Sequence, residues 1–248
     1  MNWLGTMRAE IRKLTSTKMP FAFLIVLVVI GAATAIAVAF GTDMDGSKTF
    51  VSTAADQQSL MAFASNALVI SGLFGAIAVA REYGHGTVVL TFLTTPRRSR
   101  AVLAQYAAVC VAGSALGLVG AGVSAGSVAA GLNATDYGFM VSAADLAQVL
   151  AAATLAGGAG AVLGAGIGAF IRNTGGAVTG TILMLVILPP LAVQMAGETA
   201  SWMPGTVATV ASGVSDATGI GAAIAAIVMW ALVPAAIGLV AATRRDVV

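Results

Sequence analysis

Six long apolar runs, separated by short segments that hold nearly all the charge, fill most of this 248-residue chain. Only 9% of its residues are charged and 58% are hydrophobic, against roughly a quarter charged in soluble domains. With a mean hydropathy of +0.96, the chain has too little polar surface to cover a water-soluble globule. The runs are continuous rather than alternating, which excludes a β-barrel and leaves helices as the way to satisfy the backbone in lipid. The expected fold class is an all-α integral membrane protein with six transmembrane helices. Their expected limits are Pro20–Phe40, Leu60–Ala80, Ala101–Gly131, Leu146–Phe170, Ala177–Ala196 and Ile220–Ala242. The first run is about 20 residues long, longer than the 7–15 of a signal-peptide core, and reads as a retained span.

The charges test this count. Eleven of the twelve Lys and Arg residues fall in residues 1–19, 81–100, 171–176 and 243–248, and only Lys48 falls in the alternate segments. Seven of the ten acids lie with Lys48. Removing or adding a span scrambles this partition. The Lys and Arg bias predicts that the segments containing the N- and C-termini are cytoplasmic. Residues 1–19 place Trp3, Leu4, Met7, Ile11 and Leu14 at helical spacing, with Arg8, Glu10, Arg12 and Lys13 largely elsewhere, as in an amphipathic helix lying in the headgroup plane. Residues 20–248 then form one six-helix transmembrane domain. A pI near 9 points to this orientation and not to nucleic acid, because the bases flank spans and form no patch.

Within the spans no Asp, Glu, Lys, Arg or His is expected. A charge at mid-bilayer costs about 2.5–3.5 kcal/mol and is usually kept for function. A proton-coupled antiporter, a pump with its own relay and an intramembrane metalloprotease are all disfavoured. Gly113 and Gly117, Gly122 and Gly126, and Gly160, Gly164 and Gly168 recur four apart, which lets helix backbones approach closely. Pro189-Pro190 must interrupt span five, and Pro234 span six more mildly. Residues 197–219, with Trp202-Met203-Pro204-Gly205, read as one or two short helices dipping into the outer leaflet.

The chain contains no G-x-x-x-x-G-K-[ST] phosphate loop and no His-Glu-x-x-His, Gly-x-Ser-x-Gly or Cys-x-x-Cys motif. One cysteine, Cys110, and one histidine, His85, support neither a disulfide framework nor most metal sites. No enzyme activity, cofactor or metal is expected of this chain, so power for transport must come from elsewhere. The one sizeable charged segment between apolar runs is residues 81–100. Within it Val88–Leu93 is too apolar for a solvated loop and too short to cross a bilayer, so something apolar must cover it.

The amphipathic start, the six spans, the charged segment after span two and the Pro-centred segment before span six together resemble the permease subunits of ABC-2-type transporters. These are the exporter permeases (type V exporter-like) of bacterial drug, bacitracin and lantibiotic-immunity systems. The sharpest local match is Arg81-Glu82-Tyr83-Gly84-His85-Gly86-Thr87, followed by Thr95-Pro96-Arg97-Arg98. Met7–Lys18 is similar to the family's entry helix, and Trp202-Met203-Pro204 more loosely to its outer segment. The resemblance implies a plasma-membrane, multi-pass subunit of an ATP-binding cassette exporter. It further implies a separate pair of ATPase subunits carrying ATP and Mg²⁺, and a second permease copy, either a homodimer or a heterodimer. It places ATPase docking on Glu82, Gly86, Thr87, Leu90, Phe92, Pro96, Arg97 and Arg98.

A pathway without charge suits a lipophilic or amphipathic substrate, such as a drug, a lipid or an apolar peptide. Candidates for its lining are Asn66, Pro189, Pro190 and Gln194, although Asn66 and Gln194 could equally bond a neighbouring helix. Two other readings stand beside this one. A non-transporting membrane scaffold would pack through the glycine faces, and a secondary carrier would show an inverted internal repeat, which the sequence does not display.

Overall fold

A computed structural model describes residues 3–44, 46–88, 91 and 97–244. Among them the secondary structure is helical without strands, and six helices or paired helices are long and apolar enough to cross a membrane. The elements are α1 (Trp3–Thr15), α2 (Met19–Phe40), α3 (Ala54–Ser65), α4 (Ala67–Gly84), α5 (Arg98–Leu132), α6 (Ala143–Ile171), α7 (Thr174–Ile182), α8 (Leu188–Ala196), α9 (Pro204–Ala211) and α10 (Ile220–Arg244).

The helix ends follow local chemistry. Thr53 and Asp56 form a reciprocal capping box at the start of α3. The Ser142 hydroxyl accepts from the Asp145 amide at the start of α6. The segment 171–176 between spans four and five contracts to two residues outside the helices: Arg172 closes α6 in the left-handed region, and the Asn173 side chain accepts from the Gly176 amide to open α7 at once. Gly175 and Gly176 are therefore helical.

Span two differs most from expectation. It is not one helix over 60–80 but α3 and α4, broken at Asn66, whose φ of 39° is left-handed. An Asn tolerates that region better than most residues, and here it closes α3 and opens α4.

Helix α6 is the axis of the bundle, packed against α4, α5 and α10. Its glycines make this possible. A Cβ on Gly160, Gly164 or Gly168 would overlap backbone of α4 at Leu68, Gly72 and Ala76. Gly113 and Gly117 of α5 meet Gly157 and Ala153 of α6 in the same way. The 160–168 stripe thus seats on span two, and spans three and four join through the 113–117 pair. Gly122 and Gly126 meet nothing within 4 Å and belong to neither contact. Helix α2 lies on the outside, set against α5 through Gly31 and Gly131, and most of its surface remains exposed.

The tandem prolines do interrupt span five, through a π turn over Leu183–Ile187. In place of the α-helical pattern, the Leu188 amide donates to the Leu183 carbonyl, five residues back. The wider turn moves carbonyls that the Pro189 and Pro190 rings would otherwise strike. Residues 197–219 contain a 3₁₀ turn, Gly197–Trp202, and then α9 with Pro204 in its first turn.

Two ends of the bundle are distinct. At one, the Arg172 guanidinium lies 5.2 Å from the Tyr83 ring centroid and donates to the Ala241 carbonyl, so the ends of α4, α6 and α10 meet there. We call this the basic end. At the other, Gln57, fully buried, donates to the carbonyls of Val51 and Gly138 and accepts from the Met140 amide, tying α3 to the loop before α6.

Candidate functional site

The break at Asn66 opens a cleft. Where α3 and α4 part, a cavity of about 430 Å³ lies between the α3–α4 junction, α6, α8 and α9. Small side chains of α6, Val149, Ala152, Ala153 and Ala156, make its floor, while Pro189, Pro190 and Val193 form one wall. Among the described residues that line it, none is ionisable.

The polar groups around the cleft are specific in what they offer. The Ser65 hydroxyl donates to the Ala62 carbonyl, Thr209 to Thr206, and Ser212 to Thr209. Their protons are thus committed to backbone, which leaves oxygen lone pairs for a guest. The Asn66 carboxamide makes no capping bond and is exposed, so it supplies N–H donors as well. Gln58 and Gln148 donate to the Ser212 and Ala211 carbonyls and fasten the end of α9 in place. Such a site suits an apolar body with a neutral hydrogen-bonding group, and it disfavours ions for want of a counter-charge.

Three of the four residues expected to line a path therefore come together: Asn66, Pro189 and Pro190. Gln194 does not; it lies exposed on α8, outside the cleft. Thr206, Thr209 and Ser212 went unrecognised because α9 reads in sequence as a mildly apolar stretch with nothing to mark its partner.

The second region is at the basic end. Helix α4 runs on through Glu82 and Tyr83 to Gly84, and Gly86 turns the chain with φ of 69°, a region open to glycine. Glu82 is turned inward, with 16% of its side chain exposed, and its Oε1 lies 3.5 Å from Lys13 Nζ of α1. The same ammonium is 2.7 Å from Glu10 Oε1 and donates to the Thr91 hydroxyl at 3.0 Å. Glu10 is itself buried, so the face of α1 turned to the protein is Thr6, Glu10 and Leu14, while Trp3 and Leu4 point outward. Gly86, Thr87 and Arg97 are exposed, and Arg98 opens α5. Leu90, Phe92 and Pro96 lie outside the described residues. His85 Nδ1 is 2.9 Å from the Arg81 carbonyl, which can only accept, so Nδ1 carries the proton.

Lys13, Arg81, Glu82, His85 and the hydroxyls of Ser16, Thr17, Thr87 and Thr91 enclose a cleft of about 630 Å³. Nothing in the spacing of the sequence pairs Lys13 with Glu82. No group of three His, Cys, Asp or Glu side chains placed to hold a metal ion occurs among the described residues.

No protein-family model matches this chain, and no curated protein matches it.

Proposed function

We propose that the chain is the membrane-spanning permease subunit of an ABC-2-type ATP-binding cassette exporter. It is multi-pass in the plasma membrane, with the basic end in the cytoplasm. It moves a lipophilic or amphipathic compound outward, and a separate pair of ATPase subunits supplies the energy. A second permease copy completes the transporter.

The observation that carries this reading is the uncharged cleft at the Asn66 break, walled by the tandem prolines. A lipophilic guest has room there, with a few neutral polar groups to orient it. The π turn and Pro189-Pro190 give span five a pliable joint beside the cleft, so a displacement started at the basic end can open or close it. The docking segment is residues 81–100, in which Gly86, Thr87 and Arg97 are exposed among the described residues. The packing also speaks against a scaffold that binds through glycine faces, because Gly113, Gly117, Gly160, Gly164 and Gly168 are occupied within the chain.

The test is co-purification. A tagged chain is expected to bring down an ATP-binding cassette ATPase, and Glu82→Lys or Thr87→Trp to reduce that recovery sharply. Unchanged recovery in both variants contradicts the docking assignment.

A further inference from the structure

Helices α6 and α10 cross where two glycines face each other. A Cβ on Gly166 would overlap the backbone of Pro234 and Ala235, and one on Gly238 would strike Gly166 and the Tyr106 hydroxyl. Helices in contact at a crossing part on either side of it. From this crossing toward the basic end, Phe170 of α6 and Ala236, Ile237, Val240, Ala241 and Arg244 of α10 line an open groove of about 420 Å³. Phe170, Ile237 and Val240 are 41%, 49% and 47% exposed, so the groove faces outward and not into the bundle.

Among the described residues that line it, the only charged one is Arg244. Arg244, in the last turn of α10, is exposed and makes no ion pair among the described residues. Arg172, by contrast, is turned inward onto Tyr83 and Ala241. The described carboxylates of this end, Glu10 and Glu82, are both held by Lys13. From Ala236 to Arg244 the helix rises about 12 Å, close to the half-thickness of a bilayer's hydrocarbon core.

We propose that this groove binds an anionic phospholipid, with an acyl chain along Ala236, Ile237 and Val240 and the phosphate on Arg244. The charge complementarity selects the headgroup. A zwitterionic lipid brings an ammonium that finds no carboxylate among the described residues at the groove, whereas an anionic one meets the exposed Arg244 guanidinium. The inference rests on the six-span membrane arrangement and goes beyond the exporter reading.

The experiment is native mass spectrometry of the full chain released from detergent, with dioleoylphosphatidylglycerol and dioleoylphosphatidylcholine as competing probes. Wild type is expected to retain the glycerol lipid in preference. Arg244→Gln is expected to lower that preference about fivefold, the worth of one surface cation. Ala236→Trp, which fills the groove from its exposed side, is expected to reduce retention of both lipids, and Arg100→Gln to change neither.

Equal retention of both lipids by wild type, or unchanged preference in Arg244→Gln, overturns the proposal. So does complete displacement of the glycerol lipid by millimolar inorganic phosphate, which would make the site one for free phosphate. A change of oligomeric state in Ala236→Trp with lipid retention intact would assign the groove to a second copy instead. Loss of ATPase co-purification bears on the exporter reading and leaves these outcomes untouched.

Discussion

Lys13 Nζ in α1 and Glu82 Oε1 at the end of α4 lie 3.5 Å apart although 69 residues separate them in the chain. The same Lys13 holds Glu10, so two carboxylates share one ammonium, and α1 is fastened to the segment proposed to meet the ATPase.

Removing the shared cation leaves Glu10 buried without a partner. Lys13→Met is expected to cost about 1–3 kcal/mol, less than a fully buried pair because Lys13 is 42% exposed. A melting point lowered by a few degrees in detergent checks this. Adding Glu10→Gln is expected to restore part of the loss, and strict additivity of the two changes would argue against the link.

Gly164 and Gly122 look equivalent as small residues in a span, yet only the first abuts backbone. Gly164→Ala forces α4 and α6 apart and is expected to destabilise by about 1–3 kcal/mol. Gly122→Ala meets open space and is expected to be neutral or to stabilise by up to about 1 kcal/mol through helix propensity. Thermal unfolding of the two variants side by side decides it.

At Asn66 the backbone itself is the constraint, since φ is 39°. Asn66→Gly is expected to melt near the wild type, whereas Asn66→Val is expected to cost about 1–2 kcal/mol. Equal stability of the two variants would mean that the break in span two is not held in this conformation.

The uncharged cleft makes a prediction about function. Thr209→Asp places a carboxylate on its lining, and Thr209→Phe fills part of its volume. Both are expected to lower export of lipophilic dyes by about tenfold or more, the effect of burying an unpaired charge or blocking the site, while ATPase recovery stays unchanged. Unaltered dye export would place the path elsewhere.

Much of this fold is legible in the sequence, because bilayer thickness sets a minimum length for every apolar run and charge segregates to the ends. The span limits move by only a few residues at Arg98, Ala143 and Arg244. What was hidden depends on tertiary partners. A single Asn in an apolar run looks like a tolerated guest, and its left-handed backbone is a property of the folded chain that the sequence does not mark. The glycine stripe at 160–168 announced close packing but not that α4, and not α5, fills it. Pro189-Pro190 announced an interruption, but a π turn depends on how the preceding carbonyls are accommodated. Lys13, Glu10 and Glu82 carry no shared spacing, so the ion cluster had no signal at all.

The most direct measurement is dye uptake into inside-out membrane vesicles from cells expressing the chain together with the ATPase proposed to dock on it. An exporter permease is expected to give ATP-driven accumulation of a lipophilic dye, abolished by vanadate and by Thr87→Trp, and unaffected by collapsing the proton gradient. Accumulation that persists without ATP and follows the proton gradient, or no accumulation at all, would contradict it.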